Sequence, residues 1–501
     1  MGDIYNMTTK EGLSKSRYCK GIQCPKMLWM DKNMPDKAAD MDETVLEVGS
    51  MVGDVARSYF GDFELVHYSS DKQAMADKTK ELIDSGAKTI AEASFVYDGL
   101  FCAVDILTIE DGECNIVEVK SSTRVKDVYV DDVAFQYYVL TNCGIKVKNV
   151  NIMHINSKYV RHGELNLQEL FAIEDYTNEA KEKYDEVQEN IDYIRTYLDN
   201  SGSKEPIKDI DLCCDAPYHC EYFDYCSRNL PEKSVFNIHR LNKDKKYEYY
   251  HEGIITFEDV INRQPKLSEK QIKQVETEYY NNPDYINKEE IKRFLNTLRY
   301  PLYHLDFETF QQAIPEYDGL KPYENIPFQY SLHIEYEDGR LEHKEFLAKE
   351  GKDPRRALAE SLCRDFPTDV CVLAYNMSFE KGVIQRLADT FEDLSEHLLA
   401  IRENICDLMI PFQKQYYYTK AMQGSYSIKF VLPALYPDDP ELDYHSLEEI
   451  HHGGEASSAF AKLSDKSPEE IERTRENLLK YCGLDTYAMV KVLDKLRKVC
   501  K

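Results

Sequence analysis

Two short apolar stretches in the first quarter of the chain predict a β-hairpin. Phe101–Leu107 and Ile116–Lys120 have the length and apolar content of β-strands. The Asp111-Gly112 pair between them is a common turn signal, so the two strands should be adjacent and antiparallel. Each strand also contains an acidic residue, so the hairpin is a candidate functional site.

Asp105 lies in the first predicted strand, and Glu118 and Lys120 lie in the second. Because side chains alternate between the two faces of a strand, these three groups can converge at one sheet edge. Two acids that hold Mg²⁺ against a phosphate, beside a lysine that orients water or neutralises charge, form a site for phosphodiester hydrolysis. The competing interpretation is an ordinary hairpin with exposed acids. Asp105 argues against it, since an unpaired carboxylate within an apolar run is costly.

A second acidic pattern occurs in the C-terminal third of the chain. Tyr300–Phe310 is predicted to be a strand, and its Asp306 and Glu308 share one face because they are two positions apart. Leu305 and Phe307 then point to the other face. A surface strand with two outward polar residues has the same pattern.

More acids follow this strand. Val370–Tyr375 is an apolar strand, and Asn376 and Glu380 follow it at a predicted strand-to-helix transition.

A long helix is predicted near the end of the chain. Ser467 and Glu470 form a capping box at its start. Tyr481 and Asp485 are four residues apart and share one helical face, provided that Gly483 leaves the turn intact.

The chain has fourteen cysteines and no visible secretion signal, a combination that argues against a disulfide framework. Three of them are regularly spaced within one short segment: Cys214, Cys220 and Cys226. Cys24 is the preferred fourth ligand, and Cys19 and Cys213 are alternatives. The short cysteine knuckles preferred by zinc are absent, so a 4Fe-4S cluster is predicted, with zinc as the second choice.

Composition and length limit the class of protein. With 501 residues and 43% hydrophobic content, the chain is long enough for about three domains. We predict domains at 1–235 and 296–501, joined by a helical connector at 236–295. Met1–Asn6 lacks the features of a signal peptide, and no apolar run has the ~20 residues of a membrane span, so we expect a cytoplasmic protein without a membrane partner.

The formal net charge of −28 argues against tight, indiscriminate coating of duplex DNA. Local basic segments remain. One of them, His239–Tyr250, mixes cations with tyrosines that could stack on bases, although an exposed amphipathic helix explains it equally well.

Residues 10–230 resemble the iron-sulfur nucleases of the RecB/AddB and CRISPR-associated type, within the PD-(D/E)xK superfamily. The resemblance is carried by the three-cysteine segment and five motifs: Leu13–Arg17, Cys24-Pro25, Val104-Asp105, Glu118–Lys120 and Gln136–Tyr138. It implies a restriction-endonuclease-like α/β domain in which Asp105 and Glu118 bind metal and Lys120 is catalytic. Gln136, on the following helix, would support the site.

Two positions depart from this family's pattern. The early helix around Val48–Val55 has no histidine, so Glu47 or Asp54 would have to substitute for it, or the metal site is incomplete. The family's glutamine motif has a tyrosine four residues on, whereas this chain has Leu140 there and Tyr138 two residues on.

The C-terminal acids resemble the tyrosine-type DEDD exonucleases of the RNase H-like fold. The resemblance implies that four acids hold two divalent ions, Mg²⁺ or Mn²⁺, and that tyrosine positions the attacking water. It assigns these roles to Asp306, Glu308, Glu380, Tyr481 and Asp485. Glu380 stands where the family has aspartate. Asp407 is a lower-ranked acid, and the segment around Lys429 resembles the family's Ser-Leu-Lys motif.

These patterns together predict an α/β protein with two nuclease sites that degrades nucleic acid, DNA in preference to RNA, from single-stranded ends. The combination also resembles a bacterial family of unassigned role. The first alternative is a nucleic-acid-binding scaffold in which one or both sites are inactive and the cluster is structural. A redox-responsive binder is the second.

Overall fold

The computed structural model describes residues 12–40 and 43–501 of the chain. They form a mixed α/β structure, as predicted, that divides into two units. The first unit contains Met1–Asn229 and Ala313–Tyr323, and the second contains Leu230–Gln312 and Glu324–Lys501. The segment on which we expected no secretion signal, Met1–Asn6, lies outside the described residues. Within those residues, no helix is both long and apolar enough to cross a bilayer.

The first unit is built on a seven-stranded mixed sheet with the order β2-β3-β4-β5-β6-β7, in which β1 pairs with β4. The strands are β1 (Leu13–Ser14), β2 (Glu64–Leu65), β3 (Thr89–Tyr97), β4 (Leu100–Glu110), β5 (Glu113–Lys120), β6 (Val147–Ile155) and β7 (Phe171–Asp175). The helices are α1 (Lys15–Gln23), α2 (Pro25–Asn33), α3 (Glu43–Ala56), α4 (Lys72–Asp84), α5 (Asp127–Asn142), α6 (Leu167–Leu170), α7 (Thr177–Glu182), α8 (Tyr184–Ser201) and α9 (Phe223–Cys226).

The predicted hairpin is confirmed. Strands β4 and β5 pair antiparallel, with Ile106 opposite Val117. The turn between them places Asp111 at φ 52° and Gly112 at φ 78°, the left-handed conformation that an Asp-Gly turn accommodates.

The two faces of this hairpin pack against different helices. Ile106 and Val117 form a buried cluster with Val52 and Ala56 of α3. Strand alternation sends the neighbouring side chains, including Glu118, to the opposite face, where Gln136 of α5 contacts it. The acids therefore point away from α3 and toward α5.

The second unit contains a five-stranded sheet with the order β11-β10-β9-β12-β13 and a separate two-stranded β8/β14 pair. The strands are β8 (Tyr285–Ile286), β9 (Leu302–Phe310), β10 (Ile326–Glu335), β11 (Leu341–Leu347), β12 (Cys371–Ala374), β13 (Ile405–Asp407) and β14 (Tyr417–Tyr418). The helices are α10 (Lys243–His251), α11 (Phe257–Arg263), α12 (Glu269–Tyr279), α13 (Lys288–Leu295), α14 (Arg355–Asp365), α15 (Met377–Thr390), α16 (Glu392–Glu403), α17 (Ile410–Gln413), α18 (Ile428–Leu435), α19 (Gly453–Ala461) and α20 (Pro468–Cys500).

Strand β9 separates its polar and apolar residues between two faces, as its alternation predicts. Leu305 and Phe307 join the buried cluster formed with α14, α15 and α16. Asp306 lies on the face covered by α20, where the Cys482 thiol approaches its backbone oxygen at 4.0 Å. One face of the sheet is thus an apolar core, and the other presents carboxylates to the terminal helix.

Helix α20 begins with the predicted capping box. The Ser467 hydroxyl accepts from the Glu470 amide, and the Glu470 carboxylate accepts from the Ser467 amide at 3.0 Å. The helix continues through Gly483 to Cys500 without a break. Tyr481 and Asp485 therefore share one helical face.

The predicted connector is helical and belongs to the second unit, where it contributes α10 to α13. Tyr247 and Tyr249 of α10 are buried, with 2% and 6% of their surface exposed. These two rings are therefore not available to stack on bases, the first of the two interpretations of this segment. The Arg240 guanidinium instead lies over the ring of Tyr426, 4.8 Å from its centroid.

Candidate active sites

The first acidic site is formed at the start of the β4–β5 pairing. The Oδ2 atom of Asp105 accepts the Val119 amide at 2.7 Å. This side-chain bond orients the Asp105 carboxylate beside Glu118, which is 2% exposed. The hairpin thus brings the two acids together.

Glu118 is engaged through both of its oxygens. Its Oε1 atom accepts from Lys120 Nζ at 2.7 Å and from Lys15 Nζ at 2.6 Å. Its Oε2 atom accepts from the Gln136 side-chain amide at 2.7 Å. The structure therefore brings Glu118, Lys120 and Gln136 together, and it adds a second lysine.

Two residues of this site were missed from the sequence. Lys15 is the first residue of α1, and the pairing of Ser14 in β1 with Phe101 in β4 positions it beside the hairpin. Asp132 lies one turn before Gln136 on α5 and forms a short ion pair with Lys120. The four-residue spacing of Asp132 and Gln136 was a usable signal, and Lys15 lies within the Leu13–Arg17 motif, to which the resemblance assigned no role in the site.

Burial and charge act in opposite directions on the two acids. Burial, followed by repulsion from Glu118, raises the pKa of Asp105 to about 7. Burial would also raise the pKa of Glu118, but Lys120 and Lys15 outweigh it and hold that pKa well below its usual range. Glu118 is therefore a fixed anion, while Asp105 lies near its titration midpoint at neutral pH.

Neither substitute for the missing histidine joins this site. Glu47 and Asp54 belong to α3, which packs on the face opposite to Glu118. Asp54 forms an ion pair of 2.6 Å with Arg57 and is largely exposed. The carboxylate that completes the cluster comes from α5 instead.

Tyr138 does not replace the tyrosine of the glutamine motif either. Its hydroxyl forms a short hydrogen bond with Gln188, and its ring packs on Tyr184, 4.9 Å between centroids. Leu140 is fully buried. Both side chains support the packing of α5 and leave the site to Asp132 and Gln136.

Five cysteines gather where α1 meets α2 and the segment before α9. The Cys213 thiol hydrogen-bonds with both Cys24 and Cys214. Cys220 lies close enough to interact electrostatically with Cys226 and Cys213. The four predicted ligands thus lie together, with Cys213 as a fifth thiol.

Cys19, the other alternative ligand, lies in a different environment. Its electrostatic neighbours are Asp132, Lys15 and Lys120 of the acidic site. Burial raises its pKa above the usual range.

The chain around the cysteines is tied together by hydrogen bonds. The Gln23 side-chain amide donates to the Cys213 and Tyr218 carbonyls, both at 2.8 Å. Lys20 Nζ pairs with Glu221 at 2.5 Å and with Asp31 at 3.0 Å. The N-terminal helices are therefore clasped to a segment about 190 residues later.

The thiols are spread more widely than one zinc ion requires. Tetrahedral zinc with Zn–S bonds of about 2.3 Å holds its ligands within roughly 4 Å of one another. Among the described residues, no three cysteines have their sulfur atoms within 4.8 Å of one another. Hydrogen bonds from Cys214 and Cys24 also hold the pKa of Cys213 well below its usual range, and a thiolate is the ligand form of cysteine. The cysteine group therefore offers sulfur ligands for a metal centre.

The second acidic site combines side chains from β9, α15 and α20. Asp306 and Glu308 come from β9, Glu380 from the first turn of α15, and Asp485 from the middle of α20. Asn376 precedes α15 with φ 80°, so the chain turns sharply from β12 into the helix. All four predicted acids are brought together, with Asp306 at the centre.

Mutual repulsion shows how closely these carboxylates approach. Burial raises the pKa of Asp306 well above its usual range, and Asp485 raises it further. Burial and then Asp306 do the same to the pKa values of Glu308 and Glu380. Burial raises the pKa of Asp485 to about 6. This arrangement is costly without a cation, because like charges in a poorly solvated site cannot all ionise.

The donor set fits a divalent ion. The Oε2 atom of Glu380 is buried and has no hydrogen-bond partner. Ligand atoms of Asp306, Glu308 and Cys482 lie within 4.8 Å of one another, the one such group among the described residues. Burial and then Asp306 and Glu308 raise the pKa of the Cys482 thiol, so it stays protonated, and hard ions such as Mg²⁺ prefer the carboxylate oxygens.

Two tyrosine hydroxyls bind Asp485. Tyr481, which the sequence identified, donates a hydrogen bond to it. Tyr444, which the sequence did not identify, donates to its Oδ1 atom at 2.6 Å. Tyr444 begins a short 3₁₀ helix, Tyr444–Ser446, between α18 and α19, and no periodicity marks it.

Two further residues surround the second site. Lys429, at the start of α18, attracts Glu308 and Asp485. Asp407 accepts the amides of Asn376 at 3.1 Å and Met409 at 2.9 Å. Asp407 thereby holds the turn that positions α15, which agrees with its lower rank as a metal ligand.

One comparison with known proteins covers part of this site. A family model described as a domain of unknown function, DUF2779, matches residues 303–427. The match includes Asp306, Glu308 and Glu380 but ends before Tyr481 and Asp485, and its description carries no activity. No curated protein and no solved structure matches the chain.

Proposed function

We propose that this protein is a divalent-metal-dependent nuclease whose principal site is the acidic group of the second unit. The observation that carries the proposal is the convergence of Asp306, Glu308, Glu380 and Asp485, from three separate elements, around one buried position. Within the described residues, no lysine or arginine hydrogen-bonds to these four carboxylates. Buried acids without a paired cation are the arrangement that metal-assisted phosphoryl chemistry uses.

The residues divide the work between binding and positioning. Asp306, Glu308, Glu380 and Asp485 would hold Mg²⁺ or Mn²⁺, which supply an activated water and stabilise the leaving oxygen. The Tyr481 hydroxyl is placed beside Asp485, where it can orient that water. This arrangement supports the tyrosine-type DEDD class, on an RNase H-like fold.

Tyr444 and Lys429 would act around this centre. The Tyr444 hydroxyl holds the Asp485 carboxylate in place by its 2.6 Å hydrogen bond. Lys429 supplies a positive charge at the side of the acids, where a backbone phosphate can be neutralised. The substrate is expected to be a single-stranded end, DNA in preference to RNA.

The first unit would contribute a second, PD-(D/E)xK-type site. Asp105, Glu118 and Lys120 form its core, and Gln136 orients Glu118 through a 2.7 Å hydrogen bond. The cysteine group would hold a 4Fe-4S cluster as a structural clasp, with zinc as the second choice.

One observation favours the scaffold alternative for the first unit alone. Two lysines and the Gln136 amide already donate hydrogen bonds to the two oxygens of Glu118. The hydrogen-bonding capacity of this carboxylate is therefore engaged without a metal. A first unit that binds nucleic acid without cutting it would have this appearance.

The test is degradation of end-labelled single-stranded DNA and RNA in Mg²⁺ or Mn²⁺, by the intact protein and by two variants. Asp306→Ala should abolish stepwise release of nucleotides. Asp105→Ala should abolish only the cleavage, if any, that remains in the Asp306→Ala protein. No cleavage by the intact protein with either metal would refute the nuclease proposal and leave the scaffold. A brown protein absorbing near ~400 nm would support iron-sulfur over zinc.

A further inference from the structure

We propose that Lys15 is an internal cation that occupies the Oε1 atom of Glu118, and that a divalent ion binds this oxygen by displacing Lys15. This inference rests on the proposed metal site of that unit. It assigns Lys15 a positioning role that differs from that of Lys120, although both ammonium groups contact the same carboxylate oxygen.

The Oε1 atom of Glu118 has no free lone pair for a metal while Lys15 stays in place. Lys15 Nζ lies 2.6 Å from Glu118 Oε1, and Lys120 Nζ lies 2.7 Å from the same atom. The Gln136 side-chain amide donates a hydrogen bond to Glu118 Oε2 at 2.7 Å. Each carboxylate oxygen has two lone pairs, so both of those on Oε1 are used. An ion that binds Oε1 must take the place of one lysine.

Lys15 is the lysine with less to hold it. Lys120 bridges Glu118 and Asp132 through two short contacts, whereas Lys15 lies 3.7 Å from the nearer oxygen of Asp132. Lys15 is also the first residue of α1, whereas Lys120 is the last residue of β5 within the sheet. A long, flexible side chain at a helix start can turn its ammonium group into solvent without moving the backbone.

The charge balance favours the same exchange. When a bound divalent ion keeps all three acids ionised, Asp105, Glu118 and Asp132 carry three negative charges against the two positive charges of Lys15 and Lys120. A divalent ion added to this set would leave one positive charge in a buried site. If Lys15 withdraws, the site is neutral, which is the state that costs least in a poorly solvated environment.

The first test uses the intact protein and measures the reactivity of each lysine. Reductive methylation with and without saturating Mn²⁺, followed by mass spectrometry, should show labelling of Lys15 increase several-fold with the metal. Lys120 should stay protected. Lys78, which pairs with Glu81 on the exposed face of α4, is the internal control and should not change. Labelling of Lys15 that is unchanged or reduced by Mn²⁺ would overturn the proposal.

The second test measures Mn²⁺ affinity by calorimetry in an Asp306→Asn background, so that the acids of the first unit dominate binding. Lys15→Met should tighten binding on the order of ten- to a hundred-fold, because one competing cation is removed. Lys15→Arg keeps the charge and should bind no more tightly than the parent. Lys78→Met is the matched control and should match the parent.

The outcomes separate this proposal from the function on which it rests. If the parent binds Mn²⁺ and Asp105→Asn abolishes that binding, the metal site stands. Unchanged or weaker binding by Lys15→Met would then reject the role of Lys15 alone. If neither the parent nor Lys15→Met binds Mn²⁺, the metal site of the first unit fails as well.

Discussion

The two acidic sites solve the same electrostatic problem in opposite ways. In the first unit, Glu118 is paired with Lys15 and Lys120, and its pKa lies well below the usual range. In the second, Asp306 and Glu308 have carboxylate neighbours, and their pKa values lie well above it. In the first site, lysine side chains of the protein balance the acid. In the second, the acids are arranged to bind added cations.

This difference matters because an acidic residue type alone does not specify how its charge is balanced. Removing the partner of a buried, paired carboxylate costs stability, while a carboxylate surrounded by other carboxylates costs stability until a cation arrives. Substitutions at equivalent positions should therefore change the stability of the two units in opposite directions.

The largest expected effect is on catalysis by the second unit. Asp306→Asn should lower the rate of single-strand degradation by about a thousand-fold or more, since metal binding supplies several kcal/mol of transition-state stabilisation. The same change should raise the metal-free unfolding free energy of the second unit by about 1 kcal/mol or more, because one repelled charge is removed. Asp338→Asn, on the exposed turn between β10 and β11, is the control for both measurements. A less stable Asp306→Asn protein would contradict the argument that repulsion between these carboxylates destabilises the metal-free fold.

The contrasting change in the first unit should reduce stability. Glu118→Gln leaves Lys15 and Lys120 without their shared partner, and breaking a buried pair in this way costs about 3–5 kcal/mol. Urea unfolding followed by a signal from the first unit measures the loss. Glu81→Gln breaks only an exposed pair with Lys78 and should change the unfolding free energy by less than about 1 kcal/mol. A neutral result for Glu118→Gln would remove the distinction between the two sites.

The pH dependence of the second unit gives a smaller effect. Because the folded-state pKa of Asp485 is about 6, against 3.8 as its ordinary value, the folded protein binds this proton more tightly than the unfolded chain. The stabilisation is fully present below pH 3.8 and is lost as the pH rises through about 6. Metal-free wild type should therefore lose about 1–3 kcal/mol relative to Asp485→Asn across this window. Thermal unfolding at several pH values checks the difference, and parallel curves for the two proteins would argue against it.

The smallest effect concerns the hydroxyl groups on Asp485. Tyr444→Phe removes the 2.6 Å hydrogen bond to Oδ1, at a cost of about 1 kcal/mol. The rate should fall by less than about ten-fold, and the acid limb of its pH profile should move upward, since this bond lowers the pKa of Asp485. Tyr336→Phe, whose hydroxyl contacts Glu342 at the surface, should change neither. An unchanged profile in Tyr444→Phe would limit Tyr444 to packing.

Much of the local structure was predictable because its cause is local. An Asp-Gly turn between two apolar runs produced the β4–β5 hairpin, and the capping box at Ser467 produced the start of α20. The alternation of Asp306 and Glu308 with apolar neighbours also placed both acids on one face of β9.

The partners from distant segments were not predictable in this way. Lys15 reaches Glu118 across 103 positions because β1 pairs with β4, and nothing within α1 records that pairing. Tyr444 reaches Asp485 across 41 positions from a 3₁₀ helix of three residues. Asp132 had a spacing signal, but its meaning depended on which face of α5 meets the sheet.

The sequence by itself determined which acids this protein offers and which strands and helices carry them, because alternation, spacing and capping act over a few residues. Only the tertiary structure decided what balances each acid. Charge balance in a buried site is set by whichever side chains long-range packing brings within about 4 Å. That packing gave Glu118 two lysines and left Asp306 among carboxylates.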